Sequence, residues 1–171
     1  MENYELVTIN GLRYRLVPEK DCIQKQKTGY EKICGQKYWC STMSSPKITS
    51  VFDDMYTWDT HKYKIGNYYN DQQLAIDNDR ADEIFRRMRQ WQALNDEAVD
   101  IYNPDIPRYM IAFNIDTKTL YARRDSQVYI HNHTIYFSTY DKATEALTIF
   151  YNDLTWLHTK YRRRLDEHTR N

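Results

Sequence analysis

One local pattern occurs twice in this chain and constrains its fold more than any other feature. Lys62-Tyr63-Lys64-Ile65-Gly66-Asn67-Tyr68-Tyr69-Asn70-Asp71 leads into a helix-like stretch, and His133-Thr134-Ile135-Tyr136-Phe137-Ser138-Thr139 leads into another. Each reads as a short strand closing on two aromatics, then a polar cap, then an alanine at a fixed distance, Ala75 or Ala143. Two strand-to-helix units therefore follow one another. Neither brings a nucleophile motif, a metal cage or a phosphate loop.

The rest of the chain fits around these units. Leu6-Val7-Thr8-Ile9, Asn10-Gly11 and Leu12-Arg13-Tyr14-Arg15-Leu16-Val17 predict a hairpin, because Asn-Gly accepts the positive φ of a tight turn and Leu12, Tyr14 and Leu16 alternate with arginines. Pro18 ends it, and the polar stretch from Glu19 to Gly35 reads as an irregular connection. Tyr38-Trp39-Cys40 and Ile48 to Phe52 read as strands about the turn Ser44-Ser45-Pro46, with Tyr63 to Tyr69 as a third strand. The segment from Asp53 to His61, aromatic and acidic, reads as a binding loop.

From Asp71 to about Ala98 the periodicity is helical. Leu74, Ala81, Ile84, Phe85, Met88, Trp91 and Leu94 form the apolar stripe, with Asn70 as N-cap and Gln73 three residues on. Arg80, Arg86, Arg87 and Arg89 lie off that stripe and read as a solvated face paired with Asp82 and Glu83. Asn103-Pro104-Asp105-Ile106-Pro107 breaks the chain. Strands follow at Arg108 to Ile115, Leu120 to Arg124 and Thr134 to Phe137. A second helix over 139–165 is capped by Ser138 and striped by Ala143, Leu147, Phe150, Leu154, Leu157 and Tyr161.

The expected architecture is α+β: an N-terminal hairpin and connection (1–34), then two strand-rich units (35–99 and 100–171), each an antiparallel sheet packed on one long helix. Strand sets this short must bury their apolar faces under the helices. A chain of 171 residues is long enough for a real core.

Composition excludes several classes of function. The 24 basic and 24 acidic residues cancel, so general nucleic-acid affinity is not expected and an electrostatic partner would need a local patch. No apolar run matches a membrane span and the N-terminal MENYELVTIN lacks a secretory pattern, so a cytosolic protein is expected. Cys22, Cys34 and Cys40 form no close pair and read as reduced thiols; a zinc site built from them with His61 matches no tight ligand spacing, and neither metal nor cofactor is expected. The 16 tyrosines suit both half-buried sheets and interfaces.

Three clusters remain as candidate sites. His131 and His133 point to one side of an extended segment and would be the pair of a small enzyme, yet no nucleophile motif or third ligand accompanies them. Arg123-Arg124 at a strand end and Arg162-Arg163-Arg164, read as closing the last helix, would form a phosphate-binding or acidic-protein-binding patch if both fell on one face with Tyr121, Tyr129 or Tyr161 among them. Tyr56 and Trp58 are the candidate contacts of the Asp53 to His61 loop.

Trp58-Asp59-Thr60, then Lys62-Tyr63-Lys64-Ile65-Gly66-Asn67-Tyr68-Tyr69 with Ala75 beyond, resembles the phrase W…RYxIGNxFxTxxxA of small, mostly uncharacterised bacteriophage and prophage proteins. Arg108-Tyr109-Met110-Ile111, then Thr134 to Thr139 and Ala143, resembles the KYYI…IYFSSxxxA segment that follows it in such proteins. The chain departs from the pattern at Tyr69, where phenylalanine is usual, and at Asn70-Asp71, where a threonine cap is common. The resemblance spans roughly Gly35 to Leu157 and implies a phage accessory protein, by genomic company a non-enzymatic binder of host machinery. The expected function is inhibition of a host defence protein, a CRISPR effector before others. The alternatives are a nucleic-acid-binding accessory protein acting through the arginine clusters and a small enzyme using His131 and His133.

Overall fold

The computed structural model describes residues 6–9, 12–15, 28–42, 47–125, 130–131 and 134–165. The architecture is α+β. An N-terminal hairpin pairs β1 (Leu6–Ile9) with β2 (Leu12–Arg15), antiparallel, with Ile9 opposite Leu12. β3 (Lys37–Ser41) and β4 (Ile48–Phe52) form a second antiparallel pair, followed by α1 (Thr57–Lys64) and α2 (Gln72–Asn95). β5 (Arg108–Asn114) and β6 (Thr119–Asp125) form the third, and α3 (Tyr140–Thr159) ends the element order. The second pair packs on α2 and the third on α3.

The repeated pattern has one structural meaning in both units. Tyr69 exchanges two backbone hydrogen bonds with Trp39 of β3, and Phe137 does the same with Tyr109 of β5. Two residues later comes the helix N-cap: the Asp71 side chain accepts the Leu74 N–H at 2.8 Å, and Thr139 accepts the Lys142 N–H at 3.2 Å. Four residues beyond each cap sits a fully buried alanine, Ala75 or Ala143, because the first helical turn lies against the sheet with no room for a larger side chain.

Several elements differ from what the sequence predicts. Tyr63 to Tyr69 is not a strand: Lys62, Tyr63 and Lys64 belong to α1, and only Tyr69 pairs. Thr134 to Phe137 likewise contributes one bridging residue, Phe137. The caps are Asp71 and Thr139 instead of Asn70 and Ser138; Ser138 instead donates its N–H, at 3.0 Å, and its hydroxyl to Asp96 at the end of α2. Arg80 and Arg87 do not pair with Asp82 and Glu83. They reach across to Asp153 of α3 at 3.5 and 2.9 Å, and Lys47 takes Glu83. Pro18, Cys22, the Ser44-Ser45-Pro46 turn, Tyr129 and His133 lie outside the described residues.

The main core joins both long helices to the third hairpin: Ile84 and Met88 of α2, Leu120 and Ala122 of β6, Phe137, and Ala143, Ala146, Phe150 and Leu154 of α3. Beyond Thr159 the chain leaves α3 and crosses back to the first unit. Tyr161 donates its hydroxyl to Asn78 at 2.8 Å, Arg162 lies 3.9 Å from Asp77, and Leu165 donates its N–H to the Thr28 carbonyl at 2.9 Å. Leu165 packs beside Gly29, whose φ of +92° strains any L side chain and where an added Cβ would also press on Leu165 and Leu74, so that site requires glycine.

The same corner carries an acid-sensitive clasp. Glu31 accepts the Thr28 N–H and hydroxyl at 2.6 Å each, the Gly29 N–H at 3.0 Å and the Asn70 amide at 3.0 Å. Burial alone would raise its pKa, but the hydrogen bonds from Thr28 and Gly29 outweigh it and hold the carboxyl at about 2 against an ordinary 4.5. A carboxylate depressed in the folded state stabilises fully above its unfolded pKa and loses that contribution as pH falls from 4.5 towards 2. Solvent reaches the clasp, so the loss is discounted to about 1–2 kcal/mol. Denaturant melts from pH 6 to pH 2.5 should show it, and Glu31→Gln should flatten the slope.

Candidate functional site

The most unusual surface lies between the second hairpin and α2. Six large apolar or aromatic residues fall within 52–65 with their side chains substantially exposed: Met55 and Tyr56 at 70%, Trp58 at 59%, Ile65 at 57%, Phe52 at 49% and Tyr63 at 43%. Exposed apolar residues concentrated in one short segment are a candidate interaction site, whereas singly scattered ones are ordinary. α1 is inverted relative to an ordinary amphipathic helix. Its buried positions are Asp59 and Lys62, and Trp58 and Ile65, seven residues apart and thus nearly two turns along one side, face out.

The inversion is stable because the buried polar groups are satisfied. Asp59 accepts the Tyr38 hydroxyl at 2.9 Å through one oxygen and the Tyr56 N–H at 3.1 Å through the other. Asp53 repeats the arrangement, accepting the Tyr68 hydroxyl at 3.0 Å and the Met55 N–H at 2.9 Å. The two tyrosine rings stack on each other, centroids 4.1 Å apart and planes 12° from parallel. Each carboxylate thus ties one backbone N–H of the exposed segment to a tyrosine post in the core. Burial, reinforced by the neighbouring aspartates, raises both phenols, Tyr68 to about 12 and Tyr38 also upward, so both remain donors near neutral pH.

Further contacts set the rest. The Lys62 ammonium is buried, lies over the Trp58 ring at 4.7 Å and donates to the Ser41 carbonyl at 3.3 Å. Met55 takes φ of +62°, an uncommon conformation for a bulky residue, in the turn closed by its hydrogen bond to Asp53. Non-glycine residues held there persist where the surroundings over-determine them, and such positions cluster at functional sites. α1 ends in a Schellman motif: the Gly66 N–H reaches the Tyr63 carbonyl at 3.1 Å and the Asn67 N–H the Lys62 carbonyl at 2.9 Å, with Gly66 at φ +73°. The Ile-Gly-Asn phrase is thus a helix terminus.

Two of the sequence candidates belong to this surface. Tyr56 is the N-cap of α1 and Trp58 its second residue. Arg123 and Arg124 lie within β6, one residue short of its end; Arg123 reaches the Met110 sulfur at 3.8 Å and has a buried Nε with no hydrogen-bond partner among the described residues. Arg162, Arg163 and Arg164 follow α3 instead of closing it, since the helix stops at Thr159 with Lys160 as C-cap. His131 donates its N–H to the Tyr136 hydroxyl at 3.0 Å, and its buried Nε2 has no partner among the described residues. Cys34 is exposed and Cys40 buried, both as free thiols. Among the described residues, no three His, Cys, Asp or Glu side chains form a metal-holding group, and no helix is long and apolar enough to cross a membrane.

No family model, curated protein or solved structure matches this chain.

Proposed function

We propose that this chain is a phage-encoded, non-enzymatic inhibitor acting in the bacterial cytosol. It binds a host defence protein, a CRISPR effector before others, through the apolar side of α1 and the loop before it. The observation that supports this reading best is the exposed set Met55, Tyr56, Trp58 and Ile65 on a backbone pinned from below by two tyrosine–aspartate posts. Aromatic residues and methionine are the side chains most enriched in protein interfaces. A pinned backbone also reduces the ordering cost of association. The phage origin and the identity of the partner rest on the sequence phrase ending in Ile65-Gly66-Asn67.

Co-expression with a panel of CRISPR effectors, followed by co-purification and a target-cleavage assay, tests this function. The expected result is a stable complex with one effector and loss of its cleavage. Trp58→Ala should abolish both while lowering the unfolding free energy by only about 0.5–2 kcal/mol, the worth of the lost contact with the Lys62 ammonium. Salt-sensitive binding to DNA or RNA without any effector complex would favour the arginine clusters and a nucleic-acid role instead.

A further inference from the structure

The two units differ at one sheet edge, and the difference marks a second site. In the first unit Trp39 and Tyr69 exchange backbone hydrogen bonds of 2.7 and 2.9 Å. By the alternation of an antiparallel ladder, Ser41, two residues on, also turns its backbone groups away from β4. Asn67 meets them: its Oδ1 accepts the Ser41 N–H at 2.7 Å and its Nδ2 donates to the Ser41 carbonyl at 3.0 Å. That side-chain amide stands in for one more residue of strand.

The second unit lacks this plug. Tyr109 and Phe137 exchange hydrogen bonds of 3.0 and 2.8 Å, and two residues on from Tyr109 is Ile111. The position matching Asn67, two before the bridging aromatic, is Ile135, whose side chain has no polar group. Among the described residues, nothing meets the outward N–H and C=O of Ile111 or, two further along, of Phe113. These groups border a cleft of about 470 Å³ between β5 and the Thr134–Ile135 segment, walled by Phe85 and Met88 of α2 and by Leu154 and Leu157 of α3.

We propose that this open edge of β5 takes an extended, acidic segment of a partner polypeptide as an added strand, with alternate apolar side chains entering the cleft. Unpaired edge groups template such pairing, and a flanking apolar groove selects the side chains. The charge distribution supplies the acidic preference. Among the described residues, no carboxylate lines the cleft and its titratable lining group is His158, stacked on Phe113 with centroids 4.8 Å apart. The Arg123 guanidinium lies 3.8 Å from the Met110 sulfur on the cleft wall. β5 thus forms a contact separate from α1.

The test is backbone amide exchange on the full chain with a pool of blocked synthetic heptapeptides that alternate valine or isoleucine with glutamate, at about 1 mM. The expected result is slowing of the Ile111 and Phe113 amides by at least about tenfold, with Met110 and Ala112 already slow in the free protein. Ile135→Asn should supply the missing plug and remove the peptide effect. Ile115→Glu, a change at an exposed residue of the cleft mouth, should weaken peptide binding about tenfold with the fold intact. Absence of slowing at Ile111 and Phe113 with every peptide of the pool would overturn the proposal. So would slowing that rises with protein concentration alone, which would identify a second copy of the chain as the occupant, or equal slowing with neutral peptides of the same pattern.

Discussion

Phe150→Ala should lower the unfolding free energy by about 3–5 kcal/mol, enough to remove much of the stability of an ordinary domain. Phe150 is almost wholly buried on α3, in the cluster that also holds Ile84 and Met88 of α2 and Leu120 and Ala122 of β6. Its removal leaves a cavity where three elements meet, and collapse to fill it would require moving helices already tied together by Arg87 and Asp153 at 2.9 Å. The Arg87 guanidinium also lies over the Phe150 ring at 5.5 Å and loses that contact. Urea melts measure the loss. A cost below about 1 kcal/mol would mean that the cluster is not the stabilising core described here. The α1 surface lies outside this cluster, so partner affinity should fall only in proportion to the fraction unfolded.

Asp59→Ala should cost less stability but dismantle the proposed binding surface. The substitution deletes the acceptor of the buried Tyr38 hydroxyl and the acceptor of the Tyr56 N–H at the start of α1. An orphaned buried hydroxyl costs about 1–3 kcal/mol and a lost helix-start contact about 1 kcal/mol, so the expected total is about 2–4 kcal/mol. The larger consequence is local: α1 has no apolar stripe facing inward, and without Asp59 only Lys62 remains as its buried anchor. Amide exchange across 57–64 should rise well above that of α2 and α3, and Tyr38→Phe should recover part of the stability by removing the unsatisfied donor. If α1 exchanges no faster in Asp59→Ala than in the parent chain, the tyrosine–aspartate posts do not hold the surface.

The same feature explains what the sequence showed and what it hid. α2 and α3 were legible because Leu74, Ala81, Ile84 and Met88, and Ala143, Phe150 and Leu154, repeat at helical spacing and face the core. The strand pairs were legible from short β-prone runs beside turn residues. α1 reads as loop and strand in the sequence because its buried positions are Asp59 and Lys62, and its apolar residues face outward, the reverse of the pattern that identifies a surface helix. Two local signals were present: an acidic residue at the third helical position, and Gly66 placed to end the helix at positive φ. Arg162 reads in the sequence as part of the end of the last helix, yet the chain turns back after Thr159 and sets it near Asp77. Tertiary contact decides that turn, and no periodicity within the segment encodes it. Tyr56 and Trp58 drew attention as aromatics in an acidic loop; Met55 and Ile65 join them only once the fold places them.

We propose α1 and the loop before it as a protein-binding face. Its most direct test is a calorimetric titration of the captured effector with three proteins: the parent chain, Trp58→Ala combined with Ile65→Ala, and Arg162, Arg163 and Arg164 each changed to Gln. The expected result is a loss of about 100-fold or more for the α1 variant, as for removal of a central aromatic anchor, with the arginine variant within about threefold of the parent at several salt concentrations. Unchanged affinity in the α1 variant, or a salt-dependent loss confined to the arginine variant, would contradict the account.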